Sequence, residues 1–170
     1  GRGPCWSHAT WRQVLRDHGQ RCARLAWIDL HTGLGPAGHG ERIFYCRHDA
    51  QALARARAWW GNEVTSIDDG SSVSARLSGM AFEAIHQECP KAQYTGIAIE
   101  YGTEPMTEVM RALRADQWQQ NHPEAPDELR RAIKRQVRDA FYTNTAEWKA
   151  RVVEQAQQAA RQAIAGLAGD

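Results

Sequence analysis

ARLAWIDLHTGLGPAGHG, residues 23–40, is the stretch on which the fold turns. Its first eight residues are a short apolar run and the rest is rich in glycine, the pattern of a buried strand feeding a loop. Side chains alternate faces on a strand, so Trp27, Asp29 and His31 point one way while Ile28 and Leu30 point the other. Open α/β sheets place their ligands at the C-terminal ends of strands, and His31 stands at such an end. Asp29 shares its face and can hydrogen-bond the imidazole or a neighbour, fixing a tautomer. The same pattern also suits a strand-end histidine satisfied within the protein. His39 and Glu41 follow in the glycine loop. With His31 they could supply three zinc ligands, but their spacing matches no common helical or knuckle arrangement, and lining a cleft accounts for them equally.

A second stretch, TGIAIEYG (residues 95–102), reads as another strand. Gly96, Ala98 and Glu100 share one face; Ile97, Ile99 and Tyr101 share the other. A central strand that ends in glutamate must pair the charge or neutralise it. An ion pair with one of the many arginines is one solution; a general base is another. Between these stretches, residues 41–46 (ERIFYC) predict a strand, 49–60 an alanine-rich helix, Val64 to Ile67 a further strand, and 81–89 a helix ending before Pro90. An N-terminal helix is expected over 8–18, capped by Ser7. Beyond residue 102 the pattern is helical. Thr103 and Asp127 are candidate caps, and Asn144 with Glu147 is a candidate capping box. Alternating strands and helices predict an α/β sandwich with a mixed sheet of about four strands, in a single domain over residues 1–170.

Composition excludes more than it identifies. The 170 residues carry 21 basic and 20 acidic side chains, a formal net charge of +1, which gives no electrostatic reason to expect nucleic acid or a membrane surface as partner. Arginines alternate with acids and alanines, as on solvated helix faces. No run approaches the roughly 18 apolar residues of a membrane span, and GRGPCWSHATW lacks the apolar core of a signal peptide. Cys5, Cys22, Cys46 and Cys89 form no CxxC pair, so reduced thiols and a cytoplasmic location are expected. There is no GxSxG elbow, and no cysteine is placed beside a histidine as a nucleophile would be.

The motifs carry a resemblance. DLHTG (29–33) resembles the third-ligand motif of the carboxypeptidase A superfamily, especially its succinylglutamate desuccinylase/aspartoacylase branch. IAIEYGT (97–103) resembles that superfamily's catalytic-glutamate strand, and VTSIDDGSSVSARLSG (64–79) its loop beside the substrate pocket. The run from Trp11 to about Trp148, with ALRADQW and NHP, is similar to a bacterial branch of predicted zinc carboxypeptidases. The likeness covers most of the chain but only the C-terminal half of a usual member.

The resemblance implies that His31 is a zinc ligand, that Glu100 is the general base, and that residues 65–74 border the substrate. Asp68 stands where such carboxypeptidases carry a tyrosine. It also implies a three-layer α/β/α sandwich, with the His31 and Glu100 strands adjacent and parallel and the other two strands on the far side. The strand bearing DLH would then be an exposed edge, open to pairing in a homodimer. The family's first two ligands come from an HxxE motif, yet none of the seven histidines here is followed three residues later by glutamate. One histidine alone holds zinc weakly, so these residues by themselves are expected to bind zinc poorly and turn over little. The expected parent is a zinc hydrolase cleaving a peptide or an N-acyl amino acid. The alternative is a catalytically inactive α/β binding or assembly module.

Overall fold

The computed structural model describes residues 3–47, 49–72 and 74–169. Its elements in chain order are α1 (Trp6–His18), β1 (Arg24–Ala37), β2 (Gly40–Phe44), α2 (Ala50–Trp60), α3 (Phe82–Glu88), β3 (Gln93–Gly102), α4 (Met106–Gln120), α5 (Asp127–Phe141) and α6 (Ala146–Ala168). The strands form one sheet in the order β1-β3-β2. β3 runs parallel to β1: the Gln93 N–H donates to the Ala23 carbonyl at 2.8 Å beside their starts, and Gly102 closes on Gly35 and Pro36 at their ends. β3 runs antiparallel to β2, since Tyr45 N–H donates to Gly96 O and Gly102 N–H to His39 O, each at 2.9 Å. The sheet is therefore mixed, with the Glu100 strand at its centre.

It has three strands among the described residues, not four. The expected strand at Val64–Ile67 shrinks to a single parallel bridge between Ile43 and Thr65. Thr65 pairs with β2 through two backbone bonds, at 2.8 and 2.9 Å, and the buried Val64 beside it adds packing, so the expected strand survives as one rung. β1, conversely, continues past its apolar run through the glycine-rich stretch to Ala37. No helix among the described residues is long and apolar enough to cross a membrane.

The chain groups into two compact units, the first comprising Gly1–Asp29, Arg42–Ala98 and Ala159–Asp170. In it, Ile43, Tyr45 and Ala98 form a core against which Trp27, Ile67, Met80 and Phe82 pack. α1 reaches that side through Trp11, 4.5 Å from the Trp27 ring, and α3 through Phe82, edge-on to Tyr45 at 4.9 Å. On the opposite face Arg55 of α2 donates to Thr95 Oγ1 at 3.2 Å. Trp60, wholly buried, donates its indole N–H to Ala159 O at 3.0 Å. Burial of such a ring stabilises by up to about 3 kcal/mol, and its N–H needs the partner it has. Helices thus cover both faces of the sheet within this unit, giving three layers.

The second unit comprises Leu30–Glu41 and Ile99–Gln158. α4 and α5 pack as a helical hairpin, with Val109, Ala112, Ile133 and Ala140 buried. α6 clamps the strand ends: Trp148 Nε1 donates to Gly102 O at 2.8 Å, and the Gln155 amide bonds Gly38 O at 2.9 Å and Gly40 N–H at 3.0 Å. Several expected caps are spent elsewhere. Thr103 donates its hydroxyl to Ala140 O at 2.7 Å, while Pro105 and Pro126 precede α4 and α5. Thr145, not Asn144, caps α6 by accepting from the Trp148 N–H at 3.2 Å. Asp49 caps α2 through the Gln51 N–H at 2.9 Å, whereas Cys5 and not Ser7 precedes α1.

Gly96 shows how tightly the central strand is fitted. A Cβ there would collide with the Tyr94 hydroxyl, which donates to Tyr45 O at 2.7 Å in a buried setting. Gly96→Ala should lower the unfolding free energy by about 1–3 kcal/mol in urea denaturation, through overpacking and loss of that bond. Tyr94→Phe removes the obstructing oxygen, so the double variant should lose less than the two single losses added together. Fully additive losses would place the obstruction elsewhere.

Candidate functional site

The end of β1 is shaped by two glycines. Gly33 has φ +130° and Gly35 φ +96°, conformations that side chains with a Cβ rarely adopt. A Cβ at Gly33 would also meet the Phe141 ring at 2.5 Å. Between these glycines the Leu34 backbone N–H is turned toward the carboxylate of Glu100. Irregular backbone at this point therefore supplies a hydrogen bond that a regular strand would direct along its own ladder.

Glu100 is only partly exposed, near the end of β3. Burial pushes its carboxyl above the ordinary carboxylate range; His31 and the Leu34 N–H offset part of that rise, and Glu41 adds to it. Among the described residues no arginine is named with the groups acting on it; the imidazole acting on it is that of His31, exposed on the adjacent parallel strand. His31, Glu41 and Glu100 thus lie within electrostatic reach of one another in the second unit.

His39 belongs to the same unit and is exposed. Its backbone does the structural work, the N–H donating to Pro36 O at 3.0 Å and the carbonyl accepting from Gly102 N–H. Among the described residues no three His, Cys, Asp or Glu side chains converge as a metal site. His31, His39 and Glu41 accordingly do not form the three-ligand centre considered from their spacing.

Asp29 and Asp68 lie in the first unit. Burial raises the Tyr45 hydroxyl, and Asp29 adds to the rise by charge and hydrogen bond. Asp29 also lines a cavity of about 690 Å³ together with Trp11, Trp27 and Met80. Asp68 accepts from Arg76 at 2.7 Å, and both line a cavity of about 250 Å³ with Ile67 and Tyr45. Of residues 65–74, Ile67 and Asp68 border that cavity; Val73 lies outside the described residues. Tyr45 and Arg76 were not singled out from sequence. A tyrosine in an apolar strand and an arginine in a serine-rich loop give no local signal of what they hold.

The cysteines are all free thiols. Cys46, whose Sγ lies 3.5 Å from His86 Nε2, is the one paired with a histidine, but burial pushes its thiol up to about 11. A thiol held so firmly protonated is a poor nucleophile.

No curated protein and no solved structure matches the chain. A family model does match, over residues 1–155, and its description is a protein of unknown function (DUF2817). With most of its length inside that match, the chain is a member of the DUF2817 family.

Proposed function

We propose that this chain carries the general base and one metal ligand of a zinc-dependent hydrolase related to the carboxypeptidase A superfamily, cleaving a peptide or an N-acyl amino acid. The observation that carries the reading is the nearness of His31 and Glu100 on adjacent parallel strands, His31 in the middle of β1 and Glu100 near the end of β3, with a carboxyl whose proton affinity is raised by burial. DLHTG and IAIEYGT, in that order, supply the family argument.

The donor chemistry fits. An exposed imidazole is a good zinc ligand, and a carboxylate near it that makes no arginine pair among the described residues is left to accept a proton. Zinc held there supplies Lewis acidity, lowering the pKa of the water it binds to about 7. Glu100 takes up the proton at its carboxylate, and a carboxyl moved upward toward neutrality is a better base than one at its ordinary value. The Leu34 N–H fixes the orientation of that carboxylate, and Glu41 keeps its proton affinity high. The remaining ligands, which the resemblance puts in an HxxE motif, are not among these 170 residues. A catalytically inactive binding or assembly module is the second reading, favoured by the lack of a three-ligand cluster among the described residues.

In the protein joined to its HxxE segment, Glu100→Gln should keep bound zinc and lose hydrolysis of acyl amino acid or dipeptide substrates by about 10²-fold or more. His31→Ala should lower the zinc content itself. Unchanged hydrolysis by Glu100→Gln would remove the mechanism, and zinc-replete but inactive wild-type protein would favour the inactive module.

Stability gives a separate readout. Glu100 has a raised folded-state carboxyl, so its burial is cost-free while protonated, below the unfolded-state value of about 4.3, and destabilising once pH rises through the folded-state value. Glu100→Gln should therefore be more stable than wild type at pH 7, with the gain vanishing near pH 4 in urea titrations. A loss at pH 7 would mean that the charge is fully compensated.

We also propose self-association through β1, a terminal strand of the sheet in which Leu30 is an exposed apolar side chain. Leu30→Lys should shift sedimentation from dimer toward monomer, because charge blunts a pairing edge. A wild-type monomer at the highest attainable concentration would exclude the pairing.

A further inference from the structure

Along α5, Arg130, Lys134 and Arg138 follow one another at four-residue spacing, and Arg131 and Arg135 form a second row beside them. Residues so spaced are neighbours about 6 Å apart on a helix surface, and like charges there work against the helix. These five cations line a single open cavity of about 620 Å³, with Asp127 also in its wall. Three of them already have acceptors. Arg130 donates to Pro123 O at 3.1 Å, Lys134 pairs with Asp116 at 2.6 Å, and Arg138 pairs with Asp139 at 2.6 Å. Arg131 and Arg135 have none among the described residues.

α4 contributes Gln119 to the same wall, but its Oε1 is closed off from solvent and so from a ligand in the open cavity, which leaves Arg131 and Arg135 as the groups that face one.

We propose that this cavity is a binding site for a small ligand bearing at least two oxyanion groups. Arg131 and Arg135 supply planar forks matched to phosphate or carboxylate. A small ligand suits the site better than a nucleic acid strand. No aromatic side chain is in the described wall to stack bases, and the chain's net charge of +1 provides no extended basic track. The site uses none of His31, Glu41 or Glu100, so it stands or falls apart from the hydrolase reading.

The test is calorimetric titration of the intact chain at low ionic strength with fructose 1,6-bisphosphate and with citrate. Saturable one-site binding of either is expected, and the tighter of the two distinguishes phosphate from carboxylate recognition. Arg131→Glu combined with Arg135→Glu should weaken it by about tenfold or more, with the unliganded protein melting no lower than wild type. Arg111→Glu, an exposed arginine on α4 outside the wall, should bind as wild type. The proposal is overturned by absence of saturable binding to both probes, by undiminished binding in the double arginine variant, or by equal loss in Arg111→Glu. Tighter binding of a single-stranded oligonucleotide than of either small probe would overturn it as well.

Discussion

Burial of the Glu100 carboxyl is opposed by two groups that the end of β1 delivers, the His31 imidazole and the Leu34 N–H. Both depend on β1 and β3 being parallel neighbours, because only then do the two strands end together. That adjacency in turn requires the chain to leave β1, build β2, α2 and α3, and return through a long crossover to insert β3 beside its starting strand. Parallel pairing cannot be made by a tight turn.

Other shifted acids in the molecule move the opposite way. Glu83 is held below its ordinary range by Arg47, Glu88 by Arg12 with Arg16, and Asp69 by the Ser71 hydroxyl and N–H with Arg57 behind them. These are exposed or lightly covered surface pairs, and each contributes little to stability. Glu100 differs in that burial is the largest influence on it and raises its proton affinity, where the other acids are held down by hydrogen bonds and arginines. The contrast between an arginine-paired acid and a histidine-paired one is a physical reason to look for chemistry at Glu100.

What could be read from sequence follows from how local each signal is. The two-residue alternation of TGIAIEYG gives both the strand and the face of Glu100, since period alone decides it. DLHTG reads as the end of a strand at His31, yet β1 carries that residue in its middle and runs on to Ala37. The glycines after it misled: they signal a loop, but Gly33 and Gly35 at positive φ bend a strand that continues to Ala37. Val64 and Ile67 look like strand residues because packing selects the same apolar types that pairing does. Caps failed for a different reason. Thr103 has the chemistry of a cap, yet its hydroxyl is taken by Ala140 O, thirty-seven residues away. Such competition is tertiary, and no window of local sequence contains it.

A net charge near zero is a sum, and sums conceal arrangement. Twenty-one cations against twenty anions exclude a strongly basic molecule, but they do not prevent five cations from sharing one face of one helix. Read along the chain, DELRRAIKRQVRDAF mixes signs and resembles a solvated amphipathic helix. Wound at 3.6 residues per turn, its acids fall at the ends and its arginines and lysine gather in two adjacent rows. Three of the five have acceptors and Arg131 and Arg135 have none among the described residues, so the face keeps a concentration of charge that the net count does not show.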